Sequence, residues 1–186
     1  MRTLLTLLLV LALPGLAGAD GVFALSPTNT EIHFAIRHLG ISSAEGTFTQ
    51  FTGTLRYGAA ASDVSVEVTV DPASIDSGVG LRDRAVRSSY LEVAKFPQAR
   101  FTASGLRTDG GKEALPGTLE LHGVTRPITL RIVEQGHTGR PFALRRSVTA
   151  LVELSRKDFG ISGTGAFLTM ADTVRLRIEV RNPAAP

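Results

Sequence analysis

Apolar side chains recur at every second position along most of this chain, and that period admits one kind of element: a strand with one face on a core and the other in water. Ile32, Phe34, Ile36 and His38 share a face opposite Glu31, His33, Ala35 and Arg37. Val64, Val66, Val68 and Val70 alternate with Ser65, Glu67 and Thr69, and their branched side chains suit a pleated, half-buried surface. The pattern returns at Ile128, Leu130 and Ile132, at Val148, Ala150, Val152 and Leu154, and from Val174 to Val180. Shorter strands are expected from Gly46 to Tyr57, Arg100 to Arg107 and Gly117 to Leu121. Asp109-Gly110-Gly111 predicts a hairpin turn, since glycine reaches the positive φ that tight turns require. One stretch breaks the period. From Val79 to Tyr90 the spacing of Arg82, Val86 and Tyr90 predicts a short helix of about three turns, ending before Phe96-Pro97. About eight strands and one short helix define an all-β, antiparallel domain. Closure into a barrel removes exposed sheet edges; a two-sheet sandwich is the alternative that alternation alone does not separate.

The first 19 residues follow a different rule. Met1 and Arg2 precede an apolar run from Leu4 to Leu13, a Pro14-Gly15 break and Ala17-Gly18-Ala19. This is the order of a secretory signal peptide, with cleavage expected after Ala19; the run is about half the length a membrane-spanning helix needs. The arginine-rich makeup points to bacterial export and a periplasmic destination, with residues 20–186 forming one domain. Disulfides are permitted there, yet the chain has no cysteine. Its stability must therefore come from the core, and no thioether-linked lipid can anchor a new amino terminus. Residues 182–186, Asn-Pro-Ala-Ala-Pro, read as a frayed tail.

The formal net charge of +3 raises nucleic acid as a partner, but the position of the charges argues against it. Arg175, Arg177 and Arg181 alternate with Val174, Leu176, Ile178 and Val180, so they stand on a solvated strand face. No aromatic residues interleave with them as a single-strand platform would need. Catalytic signatures are missing too: there is no Gly-x-Ser-x-Gly elbow, zinc motif or dinucleotide fingerprint. His33 and His38 are five residues apart and on opposite faces, so local spacing supports no metal site, and no cofactor is expected. A catalytic pair assembled only in space leaves no such signature, which keeps an enzyme among the readings. His122 falls by parity with Thr118 and Glu120 on the outer face unless the turn at Gly123 reorients it. The run from Gly123 to Pro127 is explained by turn chemistry. Gly160-Ile161-Ser162-Gly163-Thr164-Gly165 lacks the following helix of a phosphate cradle and predicts a loop at one end of the barrel.

Five motifs in order carry more than the pattern does. Residues 31–40, Glu-Ile-His-Phe-Ala-Ile-Arg-His-Leu-Gly, are followed by Gly46-Thr47-Phe48 and Phe51-Thr52-Gly53. Then come Ser74-Ile75-Asp76-Ser77-Gly78 with Arg82-Asp83, Lys95-Phe96-Pro97 with Phe101, the run from Leu121 to Pro127, and the run from Arg156 to Ile161. Together they resemble the YceI-like family of periplasmic polyisoprenoid-binding proteins across most of the mature chain. The resemblance implies a lipocalin-like antiparallel barrel, hollow and extended, that encloses a polyisoprenoid or quinone-like lipid. One departure stands out: where the family follows its Arg-Asp pair with a histidine two positions on, this chain has Ala85.

On that resemblance, Phe34, Ile36, Phe48, Phe51, Ile75, Phe101 and Phe159 are expected to line the barrel, although pattern alone fits a solid aromatic core equally well. His38, Arg82, Asp83 and Arg156 are candidates for a lipid head group at the mouth, a guanidinium being well suited to phosphate. The competing reading makes Arg82 and Asp83 an ion pair at the helix start, with Asp158 neutralising Arg156. The expected function is binding, storage or transport of a long isoprenoid without catalysis, compatible with transient membrane contact and with a homodimer. A solid-cored stress-response or interaction module is the alternative, and an isoprenoid-processing enzyme a further one.

Overall fold

A computed structural model of the chain describes residues 20–38, 42–133, 145–162 and 170–182. The strands are β1 (Gly21–Leu25), β2 (Thr30–His38), β3 (Ser42–Phe48), β4 (Phe51–Tyr57), β5 (Ser65–Val70) and β6 (Ile75–Asp76). After the helical segment come β7 (Ala99–Ser104), β8 (Arg107–Asp109), β9 (Lys112–Leu121), β10 (Val124–Ile132), β11 (Ser147–Ser155) and β12 (Met170–Arg181). All twelve belong to one antiparallel sheet, against an expectation of about eight.

The difference is one of interruption rather than architecture. β1 runs into β2 through the turn at Ser26–Asn29, where Asn29 Nδ2 donates to the Ala24 carbonyl at 2.8 Å. In the same way β3 continues into β4 across Thr49-Gln50, β5 into β6 across residues 71–74, and β7 into β8 across Gly105-Leu106. The partners keep step across each break. β2 pairs with β3 and β1 with β4; β4 pairs with β5 and β3 with β6; β7 and β8 both pair with β9. Eight long bent strands result, each bonded to the next, and β12 on β2 joins the last to the first. Closure leaves these strands no free long edge, so the barrel holds and the sandwich does not.

Turns fix the register. Gly110 and Gly111 both have positive φ (53° and 77°), the conformation of a two-residue hairpin between β8 and β9. His122 and Gly123 repeat it between β9 and β10, at φ 54° and 72°. The expected helix is present over Gly80–Ala85, here α1, and continues as a wider π turn over Val86–Tyr90. Arg87 holds this segment to the barrel by donating from Nε to the Ala73 carbonyl at 2.6 Å and from Nη2 to that of Ile75 at 2.5 Å.

The outer arginines meet carboxylates. Arg175 pairs with Glu153 at 2.8 Å directly across β11 and β12, Arg177 with Glu179 at 2.6 Å, and Arg181 with Glu31 at 2.6 Å. This face is a mixed-charge lattice rather than a basic stripe. His33 and Arg181 beside Glu31 hold that carboxyl below its ordinary value. The reading of a tail from residue 182 is corrected: Asn182 is buried, and its backbone N donates to the Arg146 carbonyl at 2.8 Å. The proposed signal peptide, most of the glycine-rich loop and residues 183–186 lie outside the described residues.

Candidate functional site

The barrel is hollow. One end holds a chamber of about 240 Å³ and the other a chamber of about 210 Å³. Ile32, Val70, Leu119 and Leu176 line both, so these four side chains form a waist between the two chambers. Together they reach the ~300–1,000 Å³ range of ligand cavities. Parity explains the lining: the inward set of each long strand, such as Val148, Ala150 and Val152 on β11 or Leu176, Ile178 and Val180 on β12, faces the space.

Each of the seven residues expected to line a ligand site borders one of the two chambers. Phe51 and Phe101 face the larger chamber, and Phe34, Ile36, Phe48, Ile75 and Phe159 the smaller. Phe34 lies opposite Gly46 and Phe48 opposite Ile32, so the two rings meet edge-on along the wall, 5.8 Å apart and tilted by 52°. Phe159 is the most deeply buried at 2 % exposure.

Arg82, Asp83 and Arg156 all line the smaller chamber, but their partners differ from those expected. No ion pair joins Arg82 to Asp83 among the described residues; both turn to Ser77. The Ser77 hydroxyl and backbone N donate to Asp83, the latter at 3.1 Å. Arg82 donates from Nε to the same hydroxyl at 2.8 Å and from Nη2 to the Ser77 carbonyl at 2.8 Å. Nor does Asp158 neutralise Arg156. That guanidinium donates to the carbonyls of Ile161 (2.8 Å), Ala171 (3.2 Å) and Met170 (3.4 Å), bridging the turn at Lys157–Phe159 to the start of β12. The carboxylate that acts on this turn is Asp172, which accepts from the Ser155 hydroxyl at 2.9 Å and the Lys157 backbone N at 3.1 Å. Burial pushes the Asp172 carboxyl up, but those bonds and the charges of Lys157 and Arg156 bring it below its ordinary value. Tyr90 lines the same end, and burial pushes its hydroxyl up. The His38 side chain lies outside what is described.

Two polar groups were not anticipated as parts of the interior. Glu113 and Arg145 line the larger chamber as a bidentate pair, both contacts 2.7 Å, with side chains 4 % and 5 % exposed. Parity places Glu113 inward with Leu115, but its partner stands 32 residues away and no local signal joins them. His122, placed outward by parity unless the turn at Gly123 reorients it, takes a positive φ of 54° and its side chain is only 10 % exposed. Its Nδ1 lies 3.1 Å from the Phe159 carbonyl and its Nε2 3.0 Å from Glu92 Oε2, while its ring packs on Phe96 at 4.3 Å. Lys95 first, then His122, hold the Glu92 carboxyl below its ordinary value against the effect of burial. Among the described residues no group of three His, Asp or Glu side chains is placed to hold a metal ion.

A closed antiparallel barrel with two apolar chambers, one short helical segment beside one of them and polar side chains at both ends is a lipocalin-like binding fold. The YceI-like domain matches residues 23–182, and the chain belongs to that family. It is 35 % identical over 147 residues to a UPF0312 protein of Shewanella denitrificans, covering 77 % of each chain. To Protein YceI of Salmonella arizonae it is 37 % identical over 134 residues, covering 70 % of each. The fold resembles the crystal structure of BcnA from Burkholderia cenocepacia, with a TM-score of 0.67, 21 % identity and coverage of 84 % of this chain and 98 % of that one. A polyisoprenoid binding domain from Saccharophagus degradans, implicated in plant cell wall breakdown, gives 0.57 at 14 % identity, covering 87 % and 98 %. The YceI protein of Campylobacter jejuni gives 0.64 at 26 %, covering 79 % and 88 %.

Proposed function

We propose that this protein binds a long apolar lipid of the polyisoprenoid class, quinone-like lipids included, along the two chambers, and stores or carries it through the periplasm without chemical change. The observation that carries the reading is the pair of apolar chambers set end to end against the same four side chains, an arrangement that suits an extended tail better than a compact ligand. The polyisoprenoid binding domain among the fold's relatives supports the same ligand class. Burying a methylene contributes about 0.8 kcal/mol, so each five-carbon unit contributes roughly 3 kcal/mol. A few units hold the chain against water without any polar contact. Release then requires an acceptor membrane or partner, since unaided escape re-exposes the whole tail. Arg82, Asp83 and Arg156 at the smaller chamber are where a polar head would rest, the guanidinium groups suiting a phosphate or carbonyl oxygen.

Organic extraction of protein purified without detergent, followed by mass spectrometry, is expected to yield a prenyl lipid. Added polyprenols should raise the melting temperature in proportion to chain length until the chambers are full. An empty extract together with no thermal shift at any length would remove the proposal.

A further inference from the structure

Crossing a wall of paired strands would break their hydrogen bonds, so a ligand reaches the chambers at an end of the barrel. A residue that both borders a chamber and is exposed to water marks such an end. Among the described residues Ala59, Ala60, Ala61 and Thr108 do so, and all of them border the larger chamber. No described residue of the smaller chamber's lining is exposed.

These residues belong to one rim. Ala61 begins the short helical turn Ala61–Asp63, and its carbonyl accepts from the Leu106 backbone N at 3.0 Å, while the Val64 carbonyl accepts from the Gly105 backbone N at 2.9 Å. Leu106 borders the same chamber and leads into β8, which carries Thr108. Asp63 fixes the turn by accepting from the Ala60 backbone N at 2.9 Å. The opposite end is fastened across: Arg87 ties the helical segment to the carbonyls of Ala73 and Ile75, and Arg156 ties the turn at Lys157–Phe159 to the start of β12. A ligand leaving beside those arginines would have to part such bonds, whereas at the rim it meets alanine methyl groups.

Polar groups stand just inside the rim. Thr108 lies directly across from Glu113, so an entering head group meets the Thr108 hydroxyl and the Glu113–Arg145 pair before it reaches the apolar waist. We infer that the rim of Ala59, Ala60, Ala61 and Thr108 is the opening through which the ligand enters and leaves the barrel, its head leading on entry and its tail on exit. In a bilayer the head lies at the surface and is the first part a carrier meets; on delivery the tail passes directly into the acyl region. That order of passage rests on the lipid-carrier reading and on its placing of the head beside Arg82 and Arg156, but the opening itself does not.

The chain has no cysteine, so one can be introduced as a unique site by Ala60→Cys at the rim or by Val79→Cys, exposed beside the smaller chamber and bordering neither. Each folded variant is converted to its mixed disulfide with glutathione, a charged tripeptide too polar to enter an apolar chamber. Entry of N-phenylnaphthylamine, a dye that brightens in apolar surroundings, is followed by stopped flow, and its release by dilution. The adduct at Ala60→Cys is expected to slow entry and release severalfold and by the same factor, leaving affinity unchanged, and dithiothreitol should restore both rates. The adduct at Val79→Cys should alter neither. A dye that never enters the wild-type protein, an Ala60→Cys adduct that leaves the rates as they were, or a Val79→Cys adduct that slows them as much overturns the opening. A polyprenol that fails to displace a dye whose entry the Ala60→Cys adduct does slow removes the carrier reading and leaves the opening standing.

Discussion

Glu113 and Arg145 stand with almost no water contact in an otherwise apolar chamber. Desolvating two charges costs several kcal/mol each, and their attraction repays it only when geometry is good and both groups stay. The bidentate arrangement supplies that geometry. Glu113→Ala is therefore expected to destabilise the barrel by about 3–5 kcal/mol, because it takes a bidentate carboxylate away from a buried guanidinium. Replacing both residues by methionine should restore most of the loss, and urea denaturation of the two proteins checks the order. A double variant no more stable than the single one would mean that the pair does more than neutralise itself. Glu92 and His122 concentrate a different cost: they are the two non-glycine residues with positive φ among those described, and they are bonded to each other. Such backbone persists only where surrounding contacts fix it, and here the Phe159 carbonyl and the Phe96 ring do so. Parity along β9 assigns His122 outward because it assumes the strand continues; a left-handed turn residue breaks that assumption.

At the scale of the element, the turn after β11 depends on one carboxylate. Asp172 gathers the Ser155 hydroxyl and the Lys157 amide, and its own carbonyl accepts from the Arg156 backbone N at 3.0 Å. That turn carries both Arg156 and Phe159 into the chamber wall. A carboxyl held below its unfolded value stabilises the fold fully above that value and loses the contribution as pH falls through the depressed one. Asp172→Asn, which cannot ionise, should cost about 1–2 kcal/mol near neutrality. Its deficit should close as the pH falls below the ordinary aspartate value of 3.8. Denaturation midpoints of the two proteins across that range are the measurement, and a gap that stays constant would show that charge is not the cause. The inward faces of β2, β5 and β10 to β12 were legible because polar residues mark their outer positions. β1 was not: in Gly21-Val22-Phe23-Ala24-Leu25 both faces are apolar, and Val22 faces water at 62 % exposure. β6, at two residues, exists only through its pairing with β3 and has no period to detect. The seven lining residues were legible from parity and family resemblance together, whereas the partners of Arg82 and Arg156 depend on where loops fold back, which local spacing does not encode.

At the scale of the whole molecule, the question of function is whether a ligand crosses the waist. Ile32, Val70, Leu119 and Leu176 border both chambers and are the side chains that a long ligand would have to part. On the proposed function, a tail longer than one chamber would have to pass among those four residues, while a short one would not. Val70→Trp and Leu176→Trp should each obstruct the passage at an overpacking cost of about 1–3 kcal/mol. Affinity for a long polyprenol is expected to fall well over tenfold, since one excluded five-carbon unit forfeits roughly 3 kcal/mol and 1.4 kcal/mol is a factor of ten. Affinity for geraniol, short enough for one chamber, should change little, and its retention shows that the variant barrel is still folded around its cavity. Titration of both ligands against both variants makes the comparison. Equal losses for the two would point to general damage to the interior, and an unchanged affinity for the long chain would mean that its tail leaves the barrel before the waist.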